Sequence, residues 1–256
     1  MKKLLLFVAI TASIQINAQL RTISYNDKSQ QLNGMGIAPE KPLPGKPGIL
    51  ILPAWMGITQ HEKDVATELA AAGYYVFIAD IYGLGHYPTN TQEAGAEATK
   101  YKSNPELYQR RIKLALEQLP GQGADYSRLA AIGYCFGGAG VLEMARSGMG
   151  VWGVISVHGS LGKDASRKDS KIKAKVLALH GADDPYVTPQ EVAAFEQEMR
   201  NSKADWQLVS YGNAVHAFSD KAAGNDNSKG AAYNESADKR SKKAILDFLE
   251  ELFAKK

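Results

Sequence analysis

Leu129-Ala130-Ala131-Ile132-Gly133-Tyr134-Cys135-Phe136-Gly137-Gly138 is the stretch that decides how this chain is read. Four apolar residues lead into a glycine, then a thiol, then two further glycines. A continuous apolar run suits a strand covered on both faces. A nucleophile mounted on a sharp strand-to-helix turn needs little bulk two residues to either side, because neighbouring backbone approaches closely there. Gly133 and Gly137 supply that spacing as G-x-C-x-G, with Cys135 where a serine more often stands. Gly138 and Gly140 let the next helix, predicted over 139–147, pack tightly on the sheet. Its N-terminus would favour a thiolate and a developing oxyanion. A nucleotide-binding loop is the rival reading. It fails because Cys135 occupies the second glycine of G-x-G-x-x-G, and the Gly-Lys-Ser/Thr ending of a phosphate loop is missing.

Working outward, the chain alternates strand and helix signals. Residues 21–25 and 31–37 predict an antiparallel edge. Apolar runs at 49–52, 74–79, 129–132, 151–157, 176–179 and 206–211 predict further strands. Helical spacing covers 59–72, 93–102, 105–119, 139–147, 189–200 and 237–254. This order predicts an α/β fold, a mostly parallel central sheet with helices on both faces. There are no internal repeats or low-complexity tracts, and the Lys- and Arg-rich stretch 163–175 reads as a solvated loop.

The 256 residues open Met1-Lys2-Lys3, followed by an apolar core over 4–10 and a small-residue stretch ending at Ala18. That pattern predicts a cleaved signal peptide over 1–18 and a secreted or periplasmic protein. The apolar core is too short to span a bilayer, so no membrane anchor is expected. Loss of these eighteen residues, two of them lysines, leaves 238 with 28 basic and 27 acidic side chains. So balanced a surface offers no field for nucleic acid or a membrane. The length suits one α/β domain over 19–256. A single cysteine cannot form an internal disulfide, so the Cys135 thiol is free or pairs between chains.

Two downstream segments carry matching chemistry. His180-Gly181-Ala182-Asp183-Asp184-Pro185-Tyr186-Val187 puts an acid just past a strand end, at the sheet edge where open parallel sheets hold their sites. Either aspartate could serve. Asp184 is preferred because it fits G-x-x-D-x-x-V through Gly181 and Val187, and Asp183 reads as a turn or helix cap. Asn213-Ala214-Val215-His216-Ala217-Phe218 follows the last strand and offers an imidazole as base. The chain order Cys135, Asp184, His216 is nucleophile, acid, base. His61, His86, His158 and His180 lack that order and read as structural, with His158 also placed to line a pocket.

Together with Leu52-Pro53-Ala54-Trp55-Met56-Gly57, Ala72-Gly73-Tyr74 and Ala79-Asp80-Ile81-Tyr82-Gly83, these motifs give the chain a resemblance to the dienelactone hydrolases (carboxymethylenebutenolidases), from about residue 32 to 253. The resemblance implies an α/β-hydrolase fold and a catalytic triad of Cys135, His216 and Asp184. It also implies an oxyanion hole from the backbone N–H groups of Trp55 and Phe136. The expected reaction is cleavage of a small-molecule ester, lactone or thioester through an acyl-cysteine, with no metal or organic cofactor. Asp80 matches the family's strand-end acid and reads as structural, while Trp55, Tyr82, Tyr87 and Phe136 are candidate pocket walls. Two departures stand out. The best-known members carry a glutamate at the position of Ala54, and an arginine for substrate carboxylates where this chain has Ser219-Asp220-Lys221. A non-catalytic binding protein on the same scaffold would fit those departures; a complete triad argues for hydrolysis.

Overall fold

Alternate residues of the central strands face opposite ways, and in this chain both ways are apolar. In the computed structural model, which describes residues 19–164 and 166–254, strand β3 (Gly48–Leu52) is buried along its whole length. Leu50 and Leu52 enter one core cluster, and Ile49 and Ile51 enter the other. Each such side chain, fully buried, contributes about 1.5–3 kcal/mol. The segment read as a signal peptide lies outside the described residues.

The remaining strands are β1 (Arg21–Asp27), β2 (Gln30–Ile37), β4 (Tyr75–Ile78), β5 (Leu129–Tyr134), β6 (Gly153–Val157), β7 (Lys175–Gly181) and β8 (Trp206–Tyr211). They form one sheet in the order β1-β2-β4-β3-β5-β6-β7-β8. Pairings β1/β2 and β2/β4 are antiparallel and all others are parallel, as the alternation predicted. Helices α1 (Gln60–Ala71) and α6 (Glu235–Phe253) cover one face through Val65, Leu69, Ile245 and Leu249. Helices α2 (Thr91–Lys102), α3 (Pro105–Leu116), α4 (Phe136–Ser147) and α5 (Pro189–Asn201) cover the other through Tyr101, Ile112, Val141 and Phe195. The β1–β2 hairpin is tied to α3 by Asp27, whose carboxylate accepts from Arg110 at 3.0 Å and Arg111 at 2.7 Å. Among the described residues no helix is long and apolar enough to cross a membrane.

Two boundaries differ from the sequence reading by three residues, the others by no more than two. Helix α3 stops at Leu116, short of Leu119, where the chain tightens to i→i−3 bonds: Gln118 N–H donates to Ala115 O at 3.0 Å and Leu119 N–H to Leu116 O at 3.2 Å. Helix α4 begins at Phe136, three residues before the expected start, so that helix follows strand across a single residue.

Candidate active site

That single residue is Cys135, with φ +51° and ψ −111°. A non-glycine residue held there costs about 1–3 kcal/mol, so its surroundings must impose the conformation. They do so through the backbone. The Cys135 N–H donates to Val157 O at 3.0 Å, and its carbonyl accepts from Gly138 N–H at 3.0 Å. A Cβ on Gly133 would collide with the Gly137 carbonyl, and one on Gly137 with the Leu52 carbonyl. The G-x-C-x-G spacing is thus a steric requirement of three chain segments meeting under the thiol.

Asp184 sits in the turn after β7. Its N–H donates to Gly181 O at 3.0 Å, and its Oδ1 accepts from Tyr186 N–H at 2.9 Å. The other oxygen, Oδ2, lies 2.8 Å from His216 Nδ1, and the aspartate side chain is 0 % exposed. Asp183 is exposed, and its N–H closes the turn by donating to Ala214 O at 3.0 Å. His216 is held in the loop after β8 by its N–H to Gly230 O at 3.2 Å, and its carbonyl accepts from Ala232 N–H at 3.0 Å. Its Nε2 faces Cys135 Sγ at 3.0 Å. Burial pulls the His216 pKa down, but the bonds to Asp184 and Cys135 outweigh burial and raise it to about 10. The imidazole therefore keeps its proton at neutral pH, with Nδ1–H bound to Asp184 and Nε2–H aimed at sulfur.

The Phe136 N–H opens α4 beside the thiol, and the Trp55 N–H lies in the loop after β3. Neither donates to a protein acceptor among the described residues. The Phe136 ring stacks on Tyr108 at 4.7 Å, and Tyr108 Oη donates to Phe136 O at 3.0 Å. In the β3–α1 loop, Ala54 N–H donates to Glu62 Oε1 at 3.1 Å, Gly57 N–H to Ala54 O at 3.0 Å, and Tyr82 Oη to Trp55 O at 2.7 Å.

Next to this loop lies a cavity of about 400 Å³ walled by Ala54, Met56, Ile58, Tyr82, Tyr87 and Phe136. Of the four expected pocket walls, Trp55 is not part of this lining; it is 37 % exposed at the surface. Asp80 is fully occupied, accepting from Asn33 N–H at 2.7 Å, Gly83 N–H at 2.8 Å and Tyr87 Oη at 2.8 Å. Asp220 accepts from Ala222 N–H at 2.8 Å and caps a short turn.

The other histidines separate by location. His61 packs edge-on to Tyr134 at 4.6 Å, His180 is buried in β7, and His86 lies 3.9 Å from Glu97 on the surface. His158 is closer to the chemistry. Its Nε2 pairs with Ser219 Oγ at 2.9 Å, and its ring meets His216 edge-on at 5.4 Å. Burial, then the neighbouring His216, hold its pKa well below the usual histidine range, so it stays neutral beside the charged ring. Three residues around the site were not singled out from the sequence: Glu62, Ser219 and Tyr186, whose ring stands edge-on to His216 at 5.3 Å. Only Glu62 left a readable trace, the capping-box spacing Thr59-x-x-Glu62.

Residues 32–253 match the dienelactone hydrolase family. The Caenorhabditis elegans protein K02A2.1 is 35% identical over 147 residues, covering 56% of this chain and 93% of that protein. A probable 2-oxo-3-(5-oxofuran-2-ylidene)propanoate lactonase of Bradyrhizobium sp. is 28% identical over 183 residues, 67% of this chain and 73% of that one. Among solved structures, a dienelactone hydrolase-like promiscuous phosphotriesterase, P91, from metagenomic libraries is 33% identical with a TM-score of 0.85, covering 93% of this chain and 100% of that one. Turn geometry, sheet order and sequence agree: the chain belongs to the dienelactone hydrolase family, whose members are ester and lactone hydrolases.

Proposed function

We propose that this hydrolase works through a covalent acyl-cysteine on Cys135, with His216 as proton carrier and Asp184 as its orienting acid. The observation that carries this reading is the relay from Asp184 Oδ2 to His216 Nδ1 at 2.8 Å and from His216 Nε2 to Cys135 Sγ at 3.0 Å. His216 holds the thiol proton while sulfur attacks the carbonyl carbon, and the carbonyl electrons move onto oxygen. The N–H groups of Phe136 and Trp55 receive that charge; one such donor contributes about 3 kcal/mol of transition-state stabilisation. Collapse expels the alcohol or thiol, which takes the proton from His216. Water then adds to the acyl carbon and gives its proton to His216, and sulfur departs as a thiolate, leaving that proton on the imidazole as at the start.

The substrate is an ester, lactone or thioester whose acyl part enters the cavity beside Phe136. The lactonase named for the Bradyrhizobium relative supports including lactones. Asp220, standing where the best-known relatives present an arginine, supports a neutral acyl group over a dicarboxylate. We propose further that the protein is exported, on the strength of the charged, apolar and small-residue pattern over residues 1–18; a mature chain beginning at Gln19, read by intact mass from the extracytoplasmic fraction, tests this.

The test of the mechanism is a panel of short acyl esters, lactones, thioesters and, given the P91 likeness, a phosphotriester, with mass detection of the acyl adduct. Wild type should turn over at least one of the carboxylic substrates with the adduct on Cys135. Cys135→Ala should stay folded and lose turnover; wild-type rates in that variant would eliminate the mechanism.

A further inference from the structure

We infer that Glu62 and Tyr82 are positioning residues that aim the Trp55 N–H at the substrate oxygen; the inference rests on the acyl-cysteine reading above. The N–H of Trp55 belongs to the peptide plane between Ala54 and Trp55, so its direction is set by whatever holds that plane and its neighbours. The carbonyl of the same plane, Ala54 O, accepts from Gly57 N–H at 3.0 Å. The preceding plane is held by Ala54 N–H donating to Glu62 Oε1 at 3.1 Å. The following plane is held by Tyr82 Oη donating to Trp55 O at 2.7 Å. Three consecutive planes are therefore pinned, two of them by side chains from outside the loop.

Glu62 is 1 % exposed and its two oxygens divide the work. Oε2 accepts from Thr59 N–H at 2.8 Å and Thr59 Oγ1 at 2.6 Å, closing the capping box of α1. Oε1 has no part in the cap and reaches only the loop. A carboxylate is required because both oxygens must accept; a carboxamide has one acceptor and one donor face. Glutamine serves a capping box as well as glutamate does. Glu62→Gln therefore keeps the helix cap and sets an NH₂ against the Ala54 N–H, which separates loop positioning from helix stability. Tyr82 is tied in from the opposite side. It is buried and stacks on Phe136 at 5.9 Å, so the side chain that pins one oxyanion donor packs on the residue that supplies the other.

The experiment pairs two reactions of the same sulfur. Hydrolysis passes through an oxyanion; alkylation by iodoacetamide does not. For Glu62→Gln, kcat on an activated ester should fall about tenfold with KM little changed, part of the hundredfold or more expected when such a donor is lost outright. Tyr82→Phe should lower kcat about fivefold, since it removes one hydrogen bond without emptying the ring's site. In both variants the alkylation rate of Cys135 should stay within about twofold of wild type, because thiolate formation is untouched. Wild-type kcat in both variants overturns the inference. So does a parallel loss of alkylation and hydrolysis, which would mark a general structural role. Failure of the underlying reading shows separately, as retained turnover in Cys135→Ala. Should Glu62→Gln not fold, Tyr82→Phe alone decides the matter.

Discussion

The two N–H donors proposed for the oxyanion, on Phe136 and Trp55, come from regions built in opposite ways. The Phe136 donor comes from the β5–α4 junction, where glycine contacts, a strained Cys135 and backbone hydrogen bonds leave the chain one course. The Trp55 donor comes from a loop whose course depends on side chains reaching in from α1 and from the β4–α2 loop, Glu62 and Tyr82. The first arm can fail only by wrecking the fold around it. The second can drift by a fraction of an ångström while the fold stands. Activity is thus expected to be brittle on one side of the thiol and graded on the other.

The floor against which either arm is weighed comes from His216→Gln, which takes the proton carrier from both. Hydrolysis should fall about 10⁵-fold, measured as kcat/KM on the best ester of the panel. Breaking the backbone-built arm comes next. Gly137→Ala puts a methyl into the Leu52 carbonyl, and the overpacking, about 1–3 kcal/mol, should lower Tm by about 5–10 °C. Because that clash cannot be relieved without moving the turn, activity should drop by about 10³-fold, far more than for any side-chain change in the β3–α1 loop. A Gly137→Ala enzyme with normal rates would erase the contrast between the arms.

A pH series isolates the sulfur from both donors. The raised pKa of His216 means that its charge is fully present at pH 6–7 and is lost as pH climbs through about 10. Iodoacetamide labelling of wild type should exceed that of His216→Gln by about tenfold near pH 7, and the excess should vanish by about pH 10. An equal labelling rate in the two proteins at pH 7 would count against an imidazolium beside the sulfur. The smallest effect belongs to the rim. Tyr186 is 60 % exposed, and its ring meets the site edge-on at His216 while its backbone N–H, kept by any substitution here, serves Asp184. An aromatic contact of about 0.5–1.5 kcal/mol predicts a two- to tenfold drop in kcat/KM for Tyr186→Ala, with stability unchanged.

The same contrast explains what was legible in the sequence. Strand β5, Cys135 and the flanking glycines could be read because their constraints are local and steric, written into consecutive residues. Asp184 and His216 could be read because each follows a strand at the sheet's functional edge. The onset of α4 was misplaced by three residues because Gly137 and Gly138 are poor helix formers, each costing about 1 kcal/mol relative to alanine. Packing on Leu52 and Gly159 overrides that cost, and contact of this kind has no signature in the local pattern. The spacing Thr59-x-x-Glu62 carries the signal of a helix cap and none of a loop anchor. Glu62 Oε1 meets Ala54 only after β3 and α1 have been folded together. His158, Ser219 and Tyr186 likewise gain their meaning from the tertiary placement of His216.

The solitary thiol of this chain has a chemical price beyond catalysis. If an oxidant converts Cys135 to a sulfenic acid, no second thiol within the molecule can condense with it and return it to the reduced state. Recovery then depends on a reductant supplied from outside, and without one the next oxidation steps are irreversible. The lifetime of the hydrolase is thereby linked to the redox supply of wherever it works.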